Sequence, residues 1–158
     1  MSEHDKLVRR AGLWLRNTRG CGVVMTERKT IASTEIPDAI GWHSNRSIVV
    51  ECKASRADFL ADRKKAARTA GPNALGAWRF YLTPPGLIKE AEVPSGWGVY
   101  EVHDKQIRHA HGWKWSNAAT PPWGPDRDAE VALLLGAIRR LEISATVFVR
   151  PDVEAPHE

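Results

Sequence analysis

The stretch SIVVECKASRADF, residues 47–59, constrains the fold more than any other part of the chain. Its β-branched run, Ile48, Val49 and Val50, predicts a strand. The strand ends in Glu51, Cys52 and Lys53, and the next segment, SRADFLADRKKAART, predicts a helix stopped by Gly71-Pro72. Ser55 with Asp58 resembles a capping box in which Asp replaces Glu. Side chains alternate along a strand, so Ile48, Val50 and Cys52 face one way and Val49, Glu51 and Lys53 the other. An acid and a base therefore project together from one face near the strand end. They are either the solvated tip of a half-buried strand or part of a reactive site.

The rest of the chain supplies the frame for that strand. HDKLVRRAGLWLRNT predicts a first helix over 4–18, with Leu7, Val8, Leu13, Trp14 and Leu15 at helical spacing. GVVMTERKT predicts a strand. ASTEIPDAIGW predicts another, at an edge or bent by Pro37, and HSNR a turn. AWRFYLTP predicts a strand and GWGVYEVHDKQIRHA a hairpin turning at His103–Lys105. DRDAEVALLLGAIRRLE predicts a terminal helix. The order is helix, strands, helix, strand, hairpin, helix, which fits an α/β mixed sheet flanked by helices.

At 158 residues one domain over 1–150 is expected, with a flexible tail over 151–158. No apolar run reaches the roughly 18 residues of a membrane span. MSEHDKLVRR lacks the apolar core of a secretory signal, and two cysteines cannot make a disulfide framework. Together these point to a cytoplasmic protein with reduced thiols. The formal charge of +4, from 23 basic and 19 acidic residues, permits a nucleic-acid partner without demanding one.

Asp38 lies thirteen positions before Glu51. A short turn between the two strands would make them antiparallel neighbours and bring the carboxylates together. Two carboxylates suit a hard divalent cation, Mg²⁺ or Mn²⁺, which takes oxygen ligands and retains several waters. The backbone carbonyl of Cys52 is the natural third ligand, and its thiol should face the core. A metal so held can activate water and stabilise a phosphoryl oxyanion, with Lys53 orienting the water or holding transition-state charge.

Pro37-Asp38 followed by Glu51-Cys52-Lys53 resembles the signature of the PD-(D/E)xK nuclease superfamily. The wider context, VVECKASRADFLADRKK, WRFYLTPPGLI and VPSGWGVYEV, is similar to the MmcB type of DNA repair protein and its phage relatives. The resemblance covers roughly 23–102. It implies a restriction-endonuclease-like fold with an αβββαβ core and metal-dependent DNA cleavage carried by Asp38, Glu51 and Lys53. It also matches Glu27, on the first strand, to an acid that this type carries before its first Asp. A surface charge is the other meaning of Glu27.

The helix after Lys53 carries Arg63, Lys64, Lys65 and Arg68, with Arg56 in its first turn. These residues can neutralise DNA phosphates, or form a solvated face. His103, His109 and His111 lack zinc-ligand spacing and read as surface or turn residues. Trp113 and Trp115 combine with Lys114 as a stacking platform would, although core packing explains them as well. The leading expectation is a metal-dependent deoxyribonuclease of DNA repair or phage DNA processing, with DNA as partner. Cutting both strands of a duplex would favour a homodimer. A catalytically silent DNA-binding module on the same fold and a protein-interaction domain are the alternatives.

Overall fold

The structure, a computed structural model, describes residues 1–26, 37–63 and 74–140. The expected candidates Glu27, Lys64, Lys65 and Arg68, and the tail over 151–158, lie outside the described residues.

Helix α1 (Glu3–Asn17) starts at Ser2, whose hydroxyl accepts the Asp5 N–H while the Asp5 carboxylate accepts the Ser2 N–H. This reciprocal cap satisfies two donors that the first turn leaves without partners. Leu7, Ala11, Trp14 and Leu15 recur at one face of the helix and are buried.

Six strands follow in a mixed open sheet: β1 (Val23–Thr26), β2 (Ala39–His43), β3 (Arg46–Cys52), β4 (Trp78–Thr83), β5 (Trp97–His103) and β6 (Gln106–Gly112). They lie side by side in chain order. β2 runs antiparallel to both β1 and β3, β3, β4 and β5 run parallel, and β6 turns back antiparallel to β5. Helix α2 (Arg56–Asp62) lies between β3 and β4 in the chain, and α3 (Arg127–Arg140) follows the sheet. The order from α1 to β4 is thus αβββαβ. Of the two meanings of Pro37, an edge or a bend, the structure shows the bend: it falls at Asp38, just before β2, and β2 itself is an inner strand. The missing N–H of Pro37 therefore removes no bond from the β2 ladder.

The sheet carries helices on both faces. On one side α1 packs over Ile48, Val50, Cys52, Phe80 and Leu82. On the other, Phe59 of α2 meets Tyr81, Trp97 and Val99, while Leu133 and Leu134 of α3 meet Ile40, Trp42 and Val49. β3 is covered on both faces, which explains its nearly unbroken apolar run. The β5–β6 turn falls at Asp104-Lys105, as the sequence predicts, with Asp104 at φ 51°. Gly98 is required where β5 passes the chain beyond β6: a Cβ there would lie 1.9 Å from the Trp113 carbonyl oxygen. Among the described residues no helix is long and apolar enough to cross a membrane.

Candidate active site

The β2–β3 register pairs Ala39 with Val50, and continuing it by one step sets Asp38 across from Glu51. Asp38 stands at a bend just before β2. Its Oδ2 accepts the Cys52 backbone N–H at 2.8 Å. Its Oδ1 lies 3.2 Å from His4 Nε2, at the start of α1. The acid expected from a short hairpin is therefore tied to β3 by a hydrogen bond to its main chain.

Glu51 and Lys53 are not a solvated strand tip. Glu51 is 8% exposed and the Lys53 side chain 11%. Lys53 continues the parallel pairing, donating its N–H to Leu82 O at 3.1 Å. Its Nζ lies 3.0 Å from Asp62 Oδ1. Asp62 Oδ2 accepts the Tyr81 hydroxyl at 2.9 Å, and Tyr81 sits beside Glu51 in the β3–β4 register. Asp62 closes α2 and is one of its two buried residues, with Phe59.

The Cys52 thiol faces the α1 side of the core, 1% exposed. Burial pushes its pKa well above the ordinary thiol value; the Asp38 and Glu51 charges push it further up, while Lys53 pulls it down. Both carboxylates and the ammonium thus act at one strand end. The oxygen donors of Asp38 and Glu51 are of the kind a hard divalent cation takes. Each Asp38 oxygen has two acceptor sites, so its contacts with Cys52 and His4 leave acceptor capacity. Among the described residues no three His, Cys, Asp or Glu side chains are grouped so as to hold a metal. Among the described residues a site here draws on two carboxylates, the Cys52 carbonyl and solvent.

The expected phosphate-binding residues are less uniform. Arg56 Nη1 and Nη2 each donate to Glu92 at 2.7 Å, and Nη1 also donates to Leu87 O at 2.8 Å. The hydrogen bond from Arg56 lowers the Glu92 pKa to about 2, so a phosphate must compete with a bidentate carboxylate for this guanidinium. Arg63 is exposed at the end of α2, 5.9 Å from the Phe59 ring centre. His103 pairs with Glu101 at 3.0 Å, and the His109 ring lies 5.3 Å from that of Tyr100. Trp115 is buried edge-on to Trp78, whereas Trp113, also edge-on to Trp78, remains 42% exposed.

The sequence assigned no role to His4, Asp62 or Tyr81, although Asp62 and Tyr81 lie within the stretches that carry the family resemblance. The i, i+3 spacing of Phe59 and Asp62 was a usable signal: an acid on the apolar face of a short helix requires a buried partner. Nothing in the chain's linear order points from Tyr81 or His4 to this site.

No protein-family model matches the chain, and no curated protein matches it. Its structure is similar to the SPO1766 protein of unknown function from Silicibacter pomeroyi, over 100% of this chain and 99% of that one. The TM-score is 0.60 at 20% identity. This likeness defines the class by fold alone: an α/β protein with three helices and a six-stranded mixed open sheet.

Proposed function

We propose that the protein is a divalent-metal-dependent deoxyribonuclease with a restriction-endonuclease-like fold, acting in DNA repair or phage DNA processing. One observation carries the reading: Asp38, bonded to the Cys52 N–H, stands across from Glu51, with Lys53 held two positions on. The αβββαβ order, antiparallel through β3 and parallel from β3 to β4, supports it.

In this reading Asp38, Glu51 and the Cys52 carbonyl hold Mg²⁺ or Mn²⁺. The ion, when bound, supplies a more acidic water and a counter-charge for the phosphoryl oxygens. Lys53 presents a fixed positive charge to the attacking water or the scissile phosphate. Arg63, with Lys64, Lys65 and Arg68, neutralises neighbouring phosphates.

The test incubates purified protein with labelled single-stranded, duplex and branched DNA, in Mg²⁺, Mn²⁺ or chelator. Cleavage that requires metal and falls about 10²-fold or more in Lys53→Ala is expected. No metal-dependent cleavage of any of these DNAs, or a Lys53→Ala variant that cleaves at the wild-type rate, overturns the reading.

A further inference from the structure

We propose that Asp62 is the positioning residue of this site: its carboxylate fixes the Lys53 ammonium at the end of β3, and Tyr81 fixes the carboxylate. The inference rests on the nuclease reading above and assigns it two residues that do not touch substrate.

A lysine carries its charge on a flexible four-carbon stem and does not hold one position unaided. Here the stem is largely buried, and the ammonium lies 3.0 Å from Asp62 Oδ1. A charge-assisted bond of this length sets both distance and direction. The Asp62 side chain is 1% exposed, so water does not compete for it as it does at a surface ion pair.

Asp62 is held from two sides. Its backbone belongs to α2, which Phe59 anchors to the sheet. Its Oδ2 takes the Tyr81 hydroxyl at 2.9 Å. The Tyr81 ring stacks on Trp97, with centroids 4.6 Å apart and planes at 25°, and meets Phe59 edge-on at 5.5 Å. A ring packed between two others cannot change rotamer without disturbing both. The chain Trp97–Tyr81–Asp62–Lys53 thus carries the rigidity of the core to one ammonium group. Because Tyr81 is also the β4 neighbour of Glu51, the same residue references Lys53 to the strand position of the acid.

The same contact has an opposite meaning, in which Asp62 sequesters Lys53 from DNA. The two differ in sign. If Asp62 positions, its loss slows the reaction; if it sequesters, its loss speeds the reaction or tightens DNA binding.

Asp62→Asn removes the charge at nearly constant shape. Tyr81→Phe removes only the hydroxyl and keeps the ring packing, which covers the case in which Asp62→Asn fails to fold. Single-turnover cleavage of a labelled DNA oligonucleotide with Mn²⁺ should show kcat lowered by about 10- to 100-fold in Asp62→Asn. In Tyr81→Phe the loss should be about tenfold at most. KM and Mn²⁺ affinity should stay unchanged in both.

The second readout needs neither metal nor turnover. In metal-free ¹⁵N-labelled protein, the Lys53 ammonium protons, assigned by their loss in Lys53→Ala, should exchange slowly in wild type. They should exchange faster in both variants. Unchanged exchange, or a variant that cleaves at the wild-type rate or faster, overturns the positioning role. Failure of the wild type itself to cleave overturns the nuclease reading and, with it, the catalytic purpose of Asp62. An active wild type beside indifferent variants overturns the positioning alone.

Discussion

Asp38 accepts the backbone N–H of Cys52 at 2.8 Å, tying the entry of β2 to the last residue of β3. One carboxylate thus has a structural task and, in the proposed function, a metal-binding one. Two substitutions separate them. Asp38→Asn keeps an acceptor for the Cys52 N–H and removes the charge, so it should abolish Mn²⁺ binding by calorimetry with little change in stability. Asp38→Ala also leaves that N–H without its carboxylate partner and should cost about 1–3 kcal/mol in denaturant unfolding. Mn²⁺ affinity unchanged in Asp38→Asn would sink the metal assignment.

The Arg56–Glu92 pair gives a prediction about DNA affinity that runs against simple charge counting. Because the Arg56 guanidinium is committed to Glu92 and Leu87 O, Arg56→Ala should weaken DNA binding only slightly. Glu92→Gln removes the competing charge and should tighten it. The slope of log K against log salt should steepen by about 0.7 to 0.9, one phosphate contact, if the released guanidinium reaches the DNA. Fluorescence-anisotropy titrations at several salt concentrations decide the matter, and a flat response in Glu92→Gln means Arg56 lies off the DNA path.

Glu130 fastens α3 to the sheet. Its Oε1 accepts the Ser47 hydroxyl at 2.5 Å and the Gly76 N–H at 3.1 Å; Oε2 accepts Trp42 Nε1 at 3.3 Å. The residue is 2% exposed. Glu130→Ala strands several buried donors at once and should destabilise the fold by about 3–5 kcal/mol. Glu130→Gln keeps acceptor capacity and should cost less. Thermal unfolding of the two variants checks this order, and equal losses would show that volume rather than hydrogen bonding governs the position.

These contacts mark where the sequence could and could not be read. β3 was legible because a fully covered strand must be apolar throughout, so the polar triplet Glu51-Cys52-Lys53 stood out at its end. α1 was legible from the spacing of Leu7, Trp14 and Leu15, and the β5–β6 hairpin from its Asp104-Lys105 turn. The partners of Lys53 were not. The spacing of Asp62 from Phe59 marks it as buried but not what it meets, and Tyr81 reads as a core aromatic until its hydroxyl is seen to have a target. Glu130 was hidden for the same reason, since it shares the first turn of α3 with Asp128 and acids there usually serve the helix dipole. Patterns within one element report which face is buried; polar contacts between elements depend on register and docking, which no local pattern encodes.

The last prediction concerns alkaline pH and Cys21. Its thiol is 5% exposed and packs against Gly41, where an added Cβ would lie 2.8 Å from the sulfur. Burial raises its pKa from 9.0 to about 11, although Arg19 pulls the other way. The folded state therefore keeps its proton where the unfolded chain has released it. With fewer protons bound in the unfolded state, stability must fall as pH rises. The contribution is fully present below pH 9 and is lost as pH climbs through 11, a change on the order of 3 kcal/mol at most. Denaturant unfolding at pH 8 and at pH 10.5 should show a smaller drop for Cys21→Ala than for wild type. Tyr100, whose pKa burial also raises, contributes in both proteins, so the difference between them isolates the thiol. Equal drops would mean that Cys21 titrates alike in the folded and unfolded chains.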